Sequence, residues 1–278
     1  MAMLGKEVRM SRLVNNKSGK MMAITVDHAI SRGIAPMKGL QPIQATIDAV
    51  IKGRPDAITM TKGIAEHCMW KHAGKASILL KCSSYAPVHP TKDVIFGSVD
   101  EAIRMGADAV SIGAMTFGDY QDVQFEEIGK ISEECMRKGM PLIGHVYPKG
   151  ESVPKDQYAS WENIAYCVRS AAELGIDIIK TTYTGNPDTM AKVVELCPAR
   201  VVIQGGDACK TLDDYLNMTR EAMDCGVGGV TMGRFVWDYE DITALVIALR
   251  YIIHEGYSVK EAKELLAQLE HDKNYEAF

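Results

Sequence analysis

The chain has 278 residues, 47% hydrophobic and 24% charged, which is globular usage and excludes disordered, collagenous or low-complexity sequence. Thirty-one Lys and Arg against 36 Asp and Glu give a formal charge of -5, so neither a nucleic-acid partner nor a membrane surface has its usual electrostatic footprint. No apolar run approaches the roughly 20 residues of a membrane span, the first residues lack the apolar centre of a secretory signal, and seven scattered cysteines with no Cys-x-x-Cys argue against a disulfide framework or a zinc ribbon, so a cytoplasmic protein is expected.

Residues 1–20 read as a polar, basic leader. From residue 21 onward, short β-rich apolar runs alternate with longer segments of helical spacing, and the alternation repeats eight times. Strands are predicted at 21–28, 57–62, 76–83, 109–115, 141–148, 177–184, 200–206 and 229–234. Helices such as DVQFEEIGKISEECMRKG and DYEDITALVIALRYIIHEG lie between and after them, and Gly106, Gly139, Gly175 and Gly226 each stand where a left-handed residue would close a helix. Strands this continuously apolar are covered on both faces, as parallel strands with helical crossovers are. Eight such units in about 250 residues are what an α/β-class (β/α)8 TIM barrel requires. One barrel domain is therefore expected over 21–256, followed by an extra C-terminal helix and tail over 257–278. An open doubly wound sheet is the rival, but no Gly-x-Gly-x-x-Gly follows the first strand.

In a parallel barrel, function gathers where the loops after the strands converge. At those ends Asp27 closes the first strand, Lys62 the second and Tyr147 the fifth, while Lys81 lies in the third and Lys180 inside the sixth. Lys180 interrupts DIIKTTYT, a run suited to burial, and an ammonium there must be paired or neutralised. Neutralised, it is a nucleophile able to attack a carbonyl; paired with an acid such as Asp27, it is structural. Spacing does not rank Lys62, Lys81 and Lys180.

His145 and Tyr147, two residues apart, share one face of their strand. Asp27, next to His28, is equally readable as a cap for the following loop. Gly205-Gly206 and Gly233-Arg234 end the last two strands, where barrels commonly bind phosphate, so a phosphorylated substrate is inferred. His67 and His72 lie five apart and no His-x-His or His-Glu-x-x-His occurs, so no metal is expected.

The segments ITVDHAI, PLIGHVYPKG, IDIIKTTYTGNPDTMAKVV, VVIQGG and GGVTMGRFVW together resemble the archaeal-type class I fructose-bisphosphate aldolases over roughly residues 20–255. That group also includes 2-amino-3,7-dideoxy-heptulosonate synthases and autoinducer-2-processing aldolases. The resemblance implies a lyase that works through a Schiff base without metal or other cofactor. Its first substrate would be fructose 1,6-bisphosphate, in glycolytic carbohydrate metabolism. A synthase-type transaldolase or an autoinducer-2-type phospho-sugar aldolase is the alternative, and a sugar-phosphate-binding scaffold the non-enzymatic one. A homo-oligomer, up to a decamer, is implied as well.

By the same resemblance Lys180 matches the Schiff-base lysine, Tyr147 the proton-transferring tyrosine, and Asp27 the acid at the end of the first strand. His28, His145 and Lys149, the last standing where relatives carry arginine, would contact substrate, and Gly205, Gly206, Gly233 and Arg234 match the phosphate loops. The chain departs from the pattern at Ala29, where relatives read Asp-His-Gly. It departs again at Asp207, where Gly-Gly-Asp-Ala replaces Gly-Gly-Pro-Lys, and at His145, a position aromatic or methionine in relatives.

Overall fold

In the computed structural model, which describes residues 4–205 and 209–278, eight parallel strands close into a barrel with helices around it. The barrel strands are β1 (Met21–Thr25), β2 (Ala57–Thr61), β3 (Ser77–Lys81), β6 (Ala109–Met115), β7 (Leu142–Tyr147), β8 (Ile178–Thr181), β9 (Arg200–Gln204) and β10 (Gly229–Met232). Between β3 and β6 stands a small antiparallel hairpin of β4 (Ser83–Ala86) and β5 (His89–Ile95). Around the barrel the order is β1, β10, β9, β8, β7, β6, β3, β2, so consecutive barrel strands are neighbours throughout. Each of the eight predicted runs contains its strand, and the four glycines expected to close helices all adopt positive φ.

Side-chain alternation divides the barrel into an outer and an inner set. Ile24, Ile58, Leu80, Val110, Ile179, Val201 and Ile203 face outward and pack beneath helix residues such as Ile47, Val168 and Leu249. The inner set begins with an apolar layer at the amino-terminal end, formed by Ala23, Ala57, Leu79, Ala109, Ile143, Ile178 and Val202. Two residues further along the same strands, the same phase carries Thr25, Thr59, Lys81, Ser111, His145, Lys180 and Gln204. A single alternation therefore supplies a dry floor at one end and a polar chamber at the other.

The floor is closed from below by the first helix, Leu4–Leu13, whose last residue is fully buried in the apolar inner layer. Lys6 and Arg12 on that helix pair with Asp177 and Asp108 on the barrel, at 2.5 and 2.8 Å. The leader thus acts as a plug, although its composition is polar. At the other end of the chain Val259–Asp272 starts with a reciprocal Ser258–Glu261 capping box and lays Ala262, Leu265, Leu266 and Leu269 onto the neighbouring helices Ile242–His254 and Leu212–Asp224. Among the described residues no helix is long and apolar enough to cross a membrane.

The hairpin is the feature that strand patterning does not foresee. The predicted run 76–83 is split: β3 ends at Lys81, and Ser83 already begins β4. Gln124, buried in helix Gln121–Lys138, clamps the hairpin to the end of β6. Its Oε1 accepts from Asp93 N and Met115 N, and its Nε2 donates to the Thr91 and Tyr120 carbonyls, all within 3.1–3.2 Å.

Candidate active site

At the carboxyl ends of the strands one cavity brings together Asp27, His28, His145, Tyr147, Lys149, Lys180 and Arg234. Gly205 and Gly233 lie beside it, one just past β9 and the other just past β10. Gly206 and Asp207 fall outside the described residues. Lys62 does not join: it is half-exposed and pairs with Glu101 at 3.0 Å. Lys81 does, as do Arg32, Tyr85 and Asp93, which lie outside the eight predicted strands. Arg32 sits in a short helix after β1, and Tyr85 and Asp93 ride on the hairpin. The signal for the hairpin is a pair of short β-rich runs, SSYA and TKDVIF, on either side of the Pro87–Val88 turn.

Lys180 occupies β8 between Ile179 and Thr181 and sits in register with His145 on β7. It is 5% exposed, and among the described residues it has neither a hydrogen-bond partner nor a salt bridge. Burial pushes its ammonium down to about 8; Asp27 works against the shift, while Lys81 and Arg234 add to it. At neutral pH roughly a tenth of the molecules then hold a free amine, enough for nucleophilic chemistry.

The groups around it are held in complementary states. Burial first, then Asp27 and Tyr85, raise the Tyr147 phenol well above its ordinary value, so it keeps its proton. Lys149 stands over the Tyr147 ring, 5.2 Å from its centre, and is lowered to about 8 by burial, Arg32 and Arg234. Burial takes His28 down to about 4, and it rests edge-on against Trp237 with its Nδ1 3.5 Å from Asp27 Oδ1. His145 is lowered well below its usual range by burial, Lys180 and Lys81, and its Nε2 lies 3.0 Å from Ser111 Oγ. Both imidazoles are therefore neutral and act as hydrogen-bonding groups rather than cations.

The turn after β10 can be built only with glycine. A Cβ at Gly233 would lie 2.8 Å from His28 Cε1 and 2.6 Å from Thr25 Oγ1. The Trp237 indole N–H fastens this turn to the end of β1 by donating to the Thr25 carbonyl at 3.1 Å, and Arg234 projects from it to the cavity. A buried amine, a protonated phenol, a carboxylate and an arginine on glycine-bearing turns can together attack a carbonyl, move protons and hold an anion. Among the described residues no three His, Cys, Asp or Glu side chains gather as a metal-holding group.

Residues 21–239 match the DeoC/LacD family of aldolases. The chain is 30% identical to the 2-amino-3,7-dideoxy-D-threo-hept-6-ulosonate synthase of Halobacterium salinarum over 253 residues, 90% of this chain and 92% of that protein. It is 28% identical to the class 1 fructose-bisphosphate aldolase of Thermoproteus tenax over 252 residues, 88% and 94% of the two chains. Among solved structures, a Schiff-base-forming fructose-1,6-bisphosphate aldolase superposes with a TM-score of 0.80 at 27% identity, covering 90% of this chain and 99% of its own.

Proposed function

The chain belongs to the DeoC/LacD family of class I aldolases, and we propose that its reaction is the reversible cleavage of a ketose phosphate, first of all fructose 1,6-bisphosphate, through a Schiff base on Lys180. The observation that carries this reading is a lysine buried in an apolar strand, without a salt bridge among the described residues and lowered to about 8. In the proposed sequence its neutral amine adds to the ketose carbonyl and loses water, giving an iminium. The carbon–carbon bond beyond the adjacent carbon then breaks and its electron pair flows to the iminium nitrogen. Asp27 takes the proton from the hydroxyl whose carbon becomes the aldehyde. The Tyr147 phenol, kept protonated by its surroundings, gives a proton to the enamine carbon, and water releases the ketone. Arg234 and the turns at Gly205 and Gly233 hold the phosphate on the ketone half, while His28, His145 and Lys149 contact the rest of the substrate.

Borohydride added with fructose 1,6-bisphosphate should fix one substrate mass on Lys180. An unmodified protein that still turns over would end the scheme. The second reading, synthase-type transaldolase, is favoured by His145 in place of an aromatic residue and by the 30% identical heptulosonate synthase. Triose phosphate release measured against condensation with an amino aldehyde separates the two. A cytoplasmic homo-oligomer belongs to the same proposal; the seven unpaired thiols suit a reducing compartment, and sedimentation velocity reads the assembly directly.

A further inference from the structure

Asp93 is a buried carboxylate that the scheme above does not use. It is 5% exposed, it lines the cavity, and its Oδ1 is enclosed without any hydrogen-bond partner among the described residues. Among the described residues its carboxylate makes no salt bridge either, although Lys81 lines the same chamber and is hydrogen-bonded instead to Ser83 Oγ at 3.3 Å. A buried polar oxygen without a partner is costly, and the surrounding structure is nonetheless arranged to hold it there. Gly113 on β6 has no side chain, and a Cβ at that position would collide with Asp93 Oδ2. Gln124 accepts from the Asp93 backbone N–H at 3.2 Å, and Tyr85, its cross-strand partner, borders the same cavity.

Barrel topology says which part of a substrate meets this carboxylate. Asp93 lies against β6, four strands around the barrel from β10, which carries Gly233 and Arg234; Lys180 on β8 is two strands from each. On the reading given above, the phosphate of the ketone half sits at the β9–β10 turns and the carbonyl carbon at Lys180. The chain beyond the breaking bond then runs toward β6. Asp27 serves the hydroxyl on the first carbon of that half, which leaves the substituent on the next carbon to face Asp93.

We propose that Asp93 is a specificity-determining residue, accepting a hydrogen bond from a hydroxyl or ammonium group on the carbon next to the aldehyde carbon of the substrate. Its unpaired oxygen is satisfied only by a donor, so an aldehyde without one leaves a buried carboxylate bare and is rejected.

The test is condensation, by the full-length protein, of dihydroxyacetone phosphate with three aldehydes of equal chain length: a 2-hydroxy, a 2-amino and an unsubstituted one. The native enzyme should favour one of the donor-bearing aldehydes, and which one identifies the group recognised. In Asp93→Asn, which keeps the volume over Gly113, the kcat/KM ratio of that aldehyde to the unsubstituted one should fall about 10- to 100-fold, the span of a charge-assisted hydrogen bond. Asp93→Ser serves as a second variant if the first folds poorly. An unchanged ratio, or an equal loss with all three aldehydes, overturns the proposal. Borohydride trapping of dihydroxyacetone phosphate alone keeps the two questions apart. No adduct in the native protein removes the Schiff-base reading, and an adduct lost in the variant would make Asp93 part of the amine's chemistry instead of a selector.

Discussion

In the proposed reaction a single lysine carries the chemistry, and its reactivity is a balance among three neighbours rather than a property of the side chain. Burial lowers Lys180 to about 8, Asp27 pulls upward, and Lys81 and Arg234 push down. Because only the free amine adds to a carbonyl, the rate of iminium formation should climb tenfold per pH step below about 8 and level off above it. Replacing Lys81 by Met removes a downward push and should move that midpoint to higher pH; Asp27→Asn removes the upward pull and should move it lower. Stopped-flow or quench measurements of adduct formation across pH would check both, and two shifts of the same sign would contradict this balance. Lys180 is visible in the sequence because a lone charge inside DIIKTTYT has no periodic excuse. Lys81 gives the same signal, yet its influence on Lys180 depends on two strands meeting across a closed barrel, which no local spacing records.

Elements were legible to the degree that their patterns are local. All eight barrel strands announce themselves by apolar runs bounded by turns, whereas the plug and the hairpin do not. In the helix Leu4–Leu13, Leu4 and Val8 are exposed, Leu13 is buried in the floor and Met10 only partly covers it, so its apolar stripe is too thin to read. Leu13→Ala should cost about 2–5 kcal/mol, as a truncated core leucine does. Thermal or denaturant unfolding would measure the loss, and the midpoint of Lys180 adduct formation should stay where it is, since the floor lies a layer below the chamber.

The hairpin escapes notice because ASILLKCS runs on without a break between β3 and β4. Its anchor is more specific than its strands. Gln124→Ala would leave the buried N–H groups of Asp93 and Met115 without their acceptor, at about 1–3 kcal/mol each. Faster amide exchange along β5 is the expected result, together with a weakened aldehyde preference of the kind predicted for Asp93→Asn. Exchange that stays native-like would show that the clamp does not hold the hairpin.

Across the whole molecule, charge is distributed against its own total. The chain carries a formal -5, yet the cavity wall holds Arg32, Lys81, Lys149, Lys180 and Arg234 against Asp27 and Asp93. A concave, low-dielectric mouth concentrates the field of those cations, while the acidic exterior repels anions elsewhere. The inward phase of the strands produces this layout: the positions that are Ala, Leu, Ile and Val at the floor become Lys, His, Gln and Thr one step higher, so the charge inside the barrel gathers where a ligand can offset it. Capture of a doubly phosphorylated ketose should therefore depend on salt. Between about 20 mM and about 300 mM ionic strength the Debye length contracts severalfold, and kcat/KM for a bisphosphate should drop roughly three- to tenfold, with a shallower fall for a monophosphate and almost none for the unphosphorylated sugar. Steady-state assays on that series would decide it, because a salt response identical for all three sugars would mean that the cations at the mouth serve the fold and not the substrate.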